Sequence, residues 1–128
     1  MELNTTINFL SVLIAAVASF VFGWLWYGPL FGKTWARENK IKGEGEMSFS
    51  KLLVQFITVL LTVLAIEILF TGSIAQGFAL AVIVWIGFLV ANRLSSMLWM
   101  RQSWTVFFID AVYHLANLIL IVAVLNWM

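Results

Sequence analysis

Residues Trp104–Trp127 read WTVFFIDAVYHLANLILIVAVLNW, an apolar run long enough to cross a bilayer that nevertheless carries Asp110, Tyr113, His114 and Asn117. Their offsets of three, four and seven residues place these side chains on one face of a helix. A charged carboxylate near the middle of a membrane helix costs roughly 2.5–3.5 kcal/mol on insertion scales, so the polar stripe must face protein or water rather than lipid. The remainder of the chain is then required, at minimum, to cover it.

Composition agrees with a membrane setting. The chain has 128 residues, 63% of them hydrophobic and 10% charged, with a mean hydropathy of +1.04. By length it is a single domain, residues 1–128, and its apolar share is far above that of soluble domains. A formal net charge of +1 supplies no basic field for gripping nucleic acid, which excludes that class of partner. There is no cysteine, hence no disulfide and no thiolate nucleophile, and one histidine cannot assemble a zinc site by itself; no metal site is expected. The N-terminus carries Glu2 and no basic residue ahead of an apolar run too long for a signal-peptide core, so the first helix is expected to stay in the protein.

Four runs reach the length of about 20 residues that a hydrocarbon core demands: about 7–27, 51–70, 74–98 and 104–127. Backbone polar groups must be bonded within each segment inside lipid, which makes all four helical. The fold class is therefore all-α, a polytopic four-helix transmembrane bundle. The loop 28–50 holds Lys33, Arg37, Lys40 and Lys42, Lys51 follows it, and Arg101 lies in the connection between the last two helices, whereas Thr71–Ser73 and the chain beyond Leu125 hold no Lys or Arg. The positive-inside rule then makes the loop 28–50 cytoplasmic and puts both termini outside. Trp24, Trp26, Tyr27, Trp35, Trp99 and Trp104 fall at the inner ends and Trp127 at an outer end, the positions of interfacial anchors.

Pro29 marks the point where the first helix should stop. Leu30–Lys42 mixes Leu30, Phe31 and Trp35 with basic residues and suits a short helix lying on the inner leaflet; Gly43–Ser48 is a flexible linker, with Ser48 or Ser50 able to cap the second helix. An offset of 64 residues superposes Ala15 on Ala79, Gly23 on Gly87, Leu25 on Leu89, Leu30 on Leu94, Trp35 on Trp99 and Arg37 on Arg101, which suggests an internal two-helix repeat.

Two stretches resemble a known family. Gly23, Trp26, Tyr27, Gly28, Pro29, Phe31, Gly32, Lys33 and Trp35 (GWLWYGPLFGKTW) are similar to its first-helix signature, and Asp110, Ala111, Tyr113, His114 and Leu115 (DAVYHL) to its last-helix signature. The family comprises small bacterial four-helix membrane proteins catalogued as domain of unknown function 1761. The resemblance implies the four-helix architecture and a bacterial cell (inner) membrane, and says that the two motifs belong together; it brings no activity and no cofactor. Gly28 departs from it, since Ser is common there.

Helix rise places Arg93 and Asp110 at similar depth from the same side and makes them the natural ion pair, with Gln55 and Asn92 nearby to complete a polar cluster. His114 falls near the midplane, Asn117 slightly outward, and Thr58 and Thr62 one turn apart on the second helix are expected to face this column. Glu67 lies near the outer interface, free to reach water or to meet Asn8, Ser11 or Gln76. The cluster admits three readings. It is interhelical glue, with His114 bonded to a backbone carbonyl; or Asp110 and His114 are steps of a proton or cation path; or Tyr113, His114 and Asp110 act on a lipid as an enzyme, for which no nucleophile or phosphate-loop motif is present. Four tightly packed helices leave little room for a solute, so the leading expectation is an oligomer, first a homodimer, that binds or passes a small cation, proton or polar solute. Ala15, Ala16, Ser19, Gly77 and Ala81 offer its interface. The alternative is an accessory subunit of a larger membrane complex.

Overall fold

The computed structural model describes residues 3–4, 6–38, 49–101 and 103–127, and four of its helices are long and apolar enough to cross a membrane. In chain order they are α1 (Phe9–Leu25) continuing through Leu30, a short α2 (Gly32–Glu38), α3 (Phe49–Leu69), α4 (Ile74–Val84) running unbroken into α5 (Ala91–Met100), and α6 (Trp104–Trp127). The protein is thus an all-helical, multi-pass membrane protein. Linker residues Gly43–Ser48 lie outside the described residues, and Ser50 falls inside the first turn of α3 rather than capping it.

Each short connection is closed by a local polar device. Asn8 caps α1 by accepting from the Ser11 N–H. Ser73 and Gln76 form a reciprocal capping box at the start of α4. Arg101 ends α5 in the left-handed region at φ 54°, and the Ser103 hydroxyl accepts from the Val106 N–H to start α6. These caps engage Asn8, Ser11 and Gln76, the expected neighbours of Glu67. Its partner is instead Asn4, whose side-chain amide donates to the Glu67 carboxylate at 3.1 Å while the Asn4 backbone N–H bonds the Ile68 carbonyl. The N-terminal segment is thereby tied to the end of α3.

Pro29 does not end the first helix. From Trp26 to Leu30 the chain widens into a π turn, closed by the Phe31 N–H on the Trp26 carbonyl at 2.8 Å. A proline inside a regular α-helix lacks one N–H and crowds the carbonyl four residues back, and the wider i→i+5 turn accommodates both defects. A Cβ on Gly32 would stand 2.3 Å from the Tyr27 carbonyl oxygen, so only glycine lets the chain reverse tightly enough to begin α2 there. The resulting α2 does more than lie on a leaflet: it packs against α6.

A second π turn spans Trp85–Val90. The two wide turns begin alike, Trp26-Tyr27-Gly28-Pro29-Leu30 and Trp85-Ile86-Gly87-Phe88-Leu89, which share W-x-G-x-L at an offset of 59. This register, not the offset of 64, matches the local backbone of the two helices. The 64-residue register pairs Trp35, which reaches into the bundle, with Trp99, which is 85% exposed.

The hub of the bundle is α6, the most buried of the four spans. It packs on α1 and α4; α3 lies against α1 and touches α6 more lightly. The core joins Val12, Ala15 and Ala16 of α1, Val63 and Ile66 of α3, Ala81 of α4, and Leu118, Ile121 and Val122 of α6. All five small residues expected at a dimer interface are therefore buried within one chain: Ala15, Ala16, Ser19 and Ala81 are 0% exposed, and a Cβ on Gly77 would lie 2.7 Å from Val122. They serve the close approach of helices inside this bundle, where attraction comes from packing rather than from expulsion of water. Bulky apolar groups such as Phe9, Ile83, Phe88 and Leu98 point outward, as lipid solvation permits.

Candidate functional site

Asp110 stands six residues into α6, roughly 9 Å along its axis, and is 8% exposed. Its carboxylate receives three donors from separate parts of the chain. The Tyr27 hydroxyl donates to Oδ1 at 2.5 Å, the Trp35 indole to the same oxygen at 3.2 Å, and Arg93 Nη2 to Oδ2 at 2.6 Å. The salt bridge expected from helix depth is present. The contribution of Tyr27 and Trp35 does not follow from depth alone, because Tyr27 sits in the first wide turn and Trp35 on α2, beyond the end of the first span.

The carbonyls on either side are held as well. Trp26 donates its indole N–H to Ile109 O at 3.2 Å, and Trp85 donates to Ala111 O at 2.7 Å. Each of these tryptophans opens a π turn. Trp26 and Trp35 therefore turn into the bundle instead of anchoring it at the interface, while Trp24, Trp99, Trp104 and Trp127 remain more than half exposed.

Along the same face of α6, Tyr113 is buried in an aromatic cluster, stacked on Phe22 at 5.5 Å between centroids and edge-on to Tyr27 at 5.0 Å. Its hydroxyl meets α1 at Gly23, where an added Cβ would be 3.0 Å away. Asn117 is 7% exposed and accepts from the Ser19 hydroxyl at 2.5 Å, which satisfies a polar pair at depth. His114 is half-buried, lies edge-on to the Tyr113 ring at 5.2 Å, and makes no hydrogen bond among the described residues; it does not bond a backbone carbonyl.

Other expected members of the polar cluster stand elsewhere. Asn92 is exposed, turned about 100° around its helix from Arg93. Thr58 and Thr62 are exposed and return their hydroxyls to carbonyls of their own helix, at Gln55 and Thr58. Gln55 does not reach Asp110. Its side chain instead lines a cavity of about 500 Å³ between α1, α3 and α6.

That cavity, open at the flank of the bundle, stands against the expectation that four tightly packed helices leave little room for a solute. Ser19, Phe20, Gly23 and Trp24 of α1, Leu52 and Val59 with Gln55 of α3, and Tyr113 and His114 of α6 form its walls, and Tyr27, Gly28 and Trp35 close the end nearest Asp110. Of the interfacial motif, Trp26, Tyr27 and Trp35 thus bond α6, Pro29 sets the wide turn and Gly32 the reversal, while Gly28 and Lys33 are exposed. Asp110 is absent from the wall: it fixes Tyr27 and Trp35, which are present in it. Among the described residues no group of three His, Cys, Asp or Glu side chains comes together as a metal site would require.

Neither the curated proteins nor the solved structures contain a match to this chain. A family profile does match, over residues 10–126, which takes in both signature stretches and all four spans but for Phe9 and Trp127 at their outer ends. On that match the chain belongs to the family described as protein of unknown function DUF1761.

Proposed function

We propose that this protein binds a small amphiphilic molecule drawn from the membrane, in the cavity between α1, α3 and α6. The observation that carries the reading is the cavity itself: about 500 Å³, within the range of ordinary small-molecule pockets, with mostly apolar walls and a few polar groups contributed by Gln55, Tyr113 and His114. Trp24, Leu52 and Gln55 are exposed at its margin on the flank of the bundle, which in a bilayer is approached from lipid. The state of Asp110 favours binding over ion passage. Its oxygens already hold three donors, one of them cationic, so admitting a travelling cation would require breaking that set.

The cavity walls all come from one chain, so the reading invokes no second copy. In this proposal the protein sits in a bacterial inner membrane with both termini outside, following the placement of Lys33, Arg37, Lys51 and Arg101 at the opposite end of the bundle. Because the chain has no cysteine, Lys33→Cys and Asn126→Cys single variants can be tested with a membrane-impermeant maleimide. Labelling of Asn126→Cys alone in intact spheroplasts is the expected result, and labelling of Lys33→Cys alone inverts the topology.

The binding reading is tested by extracting the protein from its own membrane in mild detergent and weighing it by native mass spectrometry before and after activation. The expected result is one retained molecule per chain, absent from a Leu52→Trp variant that fills the mouth. Bare protein in both cases, at equal folding, removes the proposal.

A further inference from the structure

We infer that the bound molecule is a neutral, planar carbonyl compound of the quinone type, a conclusion that rests on the cavity being a binding site. The argument begins with charge. No Lys, Arg, Asp or Glu lines the cavity among the described residues, and the Asp110 carboxylate behind Tyr27 and Trp35 is neutralised by Arg93. A charged head would lose its hydration and find no counter-charge on the described walls, which favours an uncharged ligand.

The hydrogen-bonding inventory then offers free donors to ligand carbonyls. The Tyr27 hydroxyl and the Trp35 indole already direct their protons at Asp110. The side chains of Gln55, Tyr113 and His114 line the cavity without a hydrogen bond among the described residues, and each can donate. Gln55 stands on α3 and the other two on α6, so donors approach from two different walls. A ring bearing carbonyl oxygens on opposite edges offers a separate acceptor to each wall, whereas a fatty alcohol brings a single oxygen to both.

Shape and electronics point the same way. Phe20, Trp24, Tyr27, Trp35 and Tyr113 contribute aromatic surface to a single cavity. Aromatic faces carry negative quadrupole density and stack best on flat, electron-poor partners, which a quinone ring is and an alkyl chain is not. The exposed margin at Leu52 and Trp24 lets an isoprenoid or alkyl tail leave sideways along the apolar faces of α1 and α3.

The test uses the full chain immobilised in detergent and two probes of matched tail: a decyl-substituted benzoquinone and decan-1-ol. Saturable retention of the quinone at one per chain is expected, with decanol held more weakly. A His114→Phe, Gln55→Leu double variant of unchanged melting temperature should weaken quinone retention by roughly tenfold or more and decanol retention by a smaller factor. Should that double variant fail to fold, the single His114→Phe change carries the same comparison at a smaller loss. Equal retention of both probes, or quinone affinity indifferent to the loss of the donors, overturns the quinone assignment while sparing the binding site. Retention of neither probe, in protein shown to be folded, overturns the quinone assignment, and the binding site falls with it when the natively extracted protein is also bare.

Discussion

Trp26 and Trp85, 59 positions apart, occupy the same place in two π turns and grip neighbouring carbonyls of α6, those of Ile109 and Ala111. Asp110 lies between the two carbonyls. In both helices the indole that makes the contact belongs to the first residue of the wide turn. The two clamps thus hold the Asp110 turn of α6 from either side. Replacing either indole by Phe keeps an aromatic ring and removes one hydrogen bond. Trp26→Phe and Trp85→Phe should each lower unfolding stability by about 0.5–1.5 kcal/mol, read from denaturation in mixed micelles. The Trp85 change should be the larger, since its bond is 2.7 Å against 3.2 Å.

The pair Arg93–Asp110 makes a sharper prediction because its two members are not equivalent to their sum. Removing one partner leaves the other charge in a poorly solvated place, which costs up to roughly 3–5 kcal/mol for a buried pair, and less here because the Arg93 side chain is 23% exposed. Arg93→Met should therefore destabilise strongly. Adding Asp110→Asn should restore part of the loss, since the amide still accepts from Tyr27 and Trp35 without carrying an uncompensated charge. A double variant no more stable than Arg93→Met would show that the carboxylate is well solvated from elsewhere.

Much of this was legible in the sequence, for reasons that identify what was not. Span count, helix identity and the Asp110–Arg93 pairing follow from hydropathy and from a rise of about 1.5 Å per residue, which are one-dimensional quantities. The partners of Asp110 from Tyr27 and Trp35 required knowing that Pro29 widens the helix instead of ending it and that Gly32 lets α2 fold back. Azimuth was the weaker coordinate. Thr58, Thr62 and Asn92 sit at suitable positions along their helices yet face outward, and Ala15, Ala16 and Ser19 face inward, because depth does not fix rotation about a helix axis. The repeated W-x-G-x-L was the available signal for the paired clamps; the offset of 64 concealed it.

Glycines at two places in the long third span should respond in opposite directions. An added Cβ at Gly77 of α4 would meet Val122 of α6 at 2.7 Å and Phe70 at 2.9 Å. Gly77→Ala should cost about 1–3 kcal/mol through overpacking, and Val122→Ala should relieve part of it. A Cβ at Gly87 meets nothing within 4 Å. Gly87→Ala should be neutral or stabilising by up to roughly 1 kcal/mol through helix propensity. Paired denaturation curves of the two variants decide the matter, and a stabilising Gly77→Ala would mean that α4 stands further from α6.

Trp35 links the polar cluster to the cavity, since its indole bonds Asp110 and the residue also lines the cavity wall. Tyr27 does the same from the other side of the turn. If these bonds hold α2 against α6, weakening them should loosen α2 before it unfolds the bundle, because the core of Val63, Ile121 and Val122 lies elsewhere along the helices. Ala36 is half-buried on α2, and with no native cysteine an Ala36→Cys substitution reports the exposure of that helix without background. Adding Trp35→Phe to it should raise the maleimide reaction rate several-fold while leaving the far-ultraviolet dichroism unchanged; adding Asp110→Leu, which removes the acceptor of both bonds, should raise it further. An unchanged rate in both variants would mean that α2 is fixed by apolar packing alone and that Asp110 has no hold over the cavity.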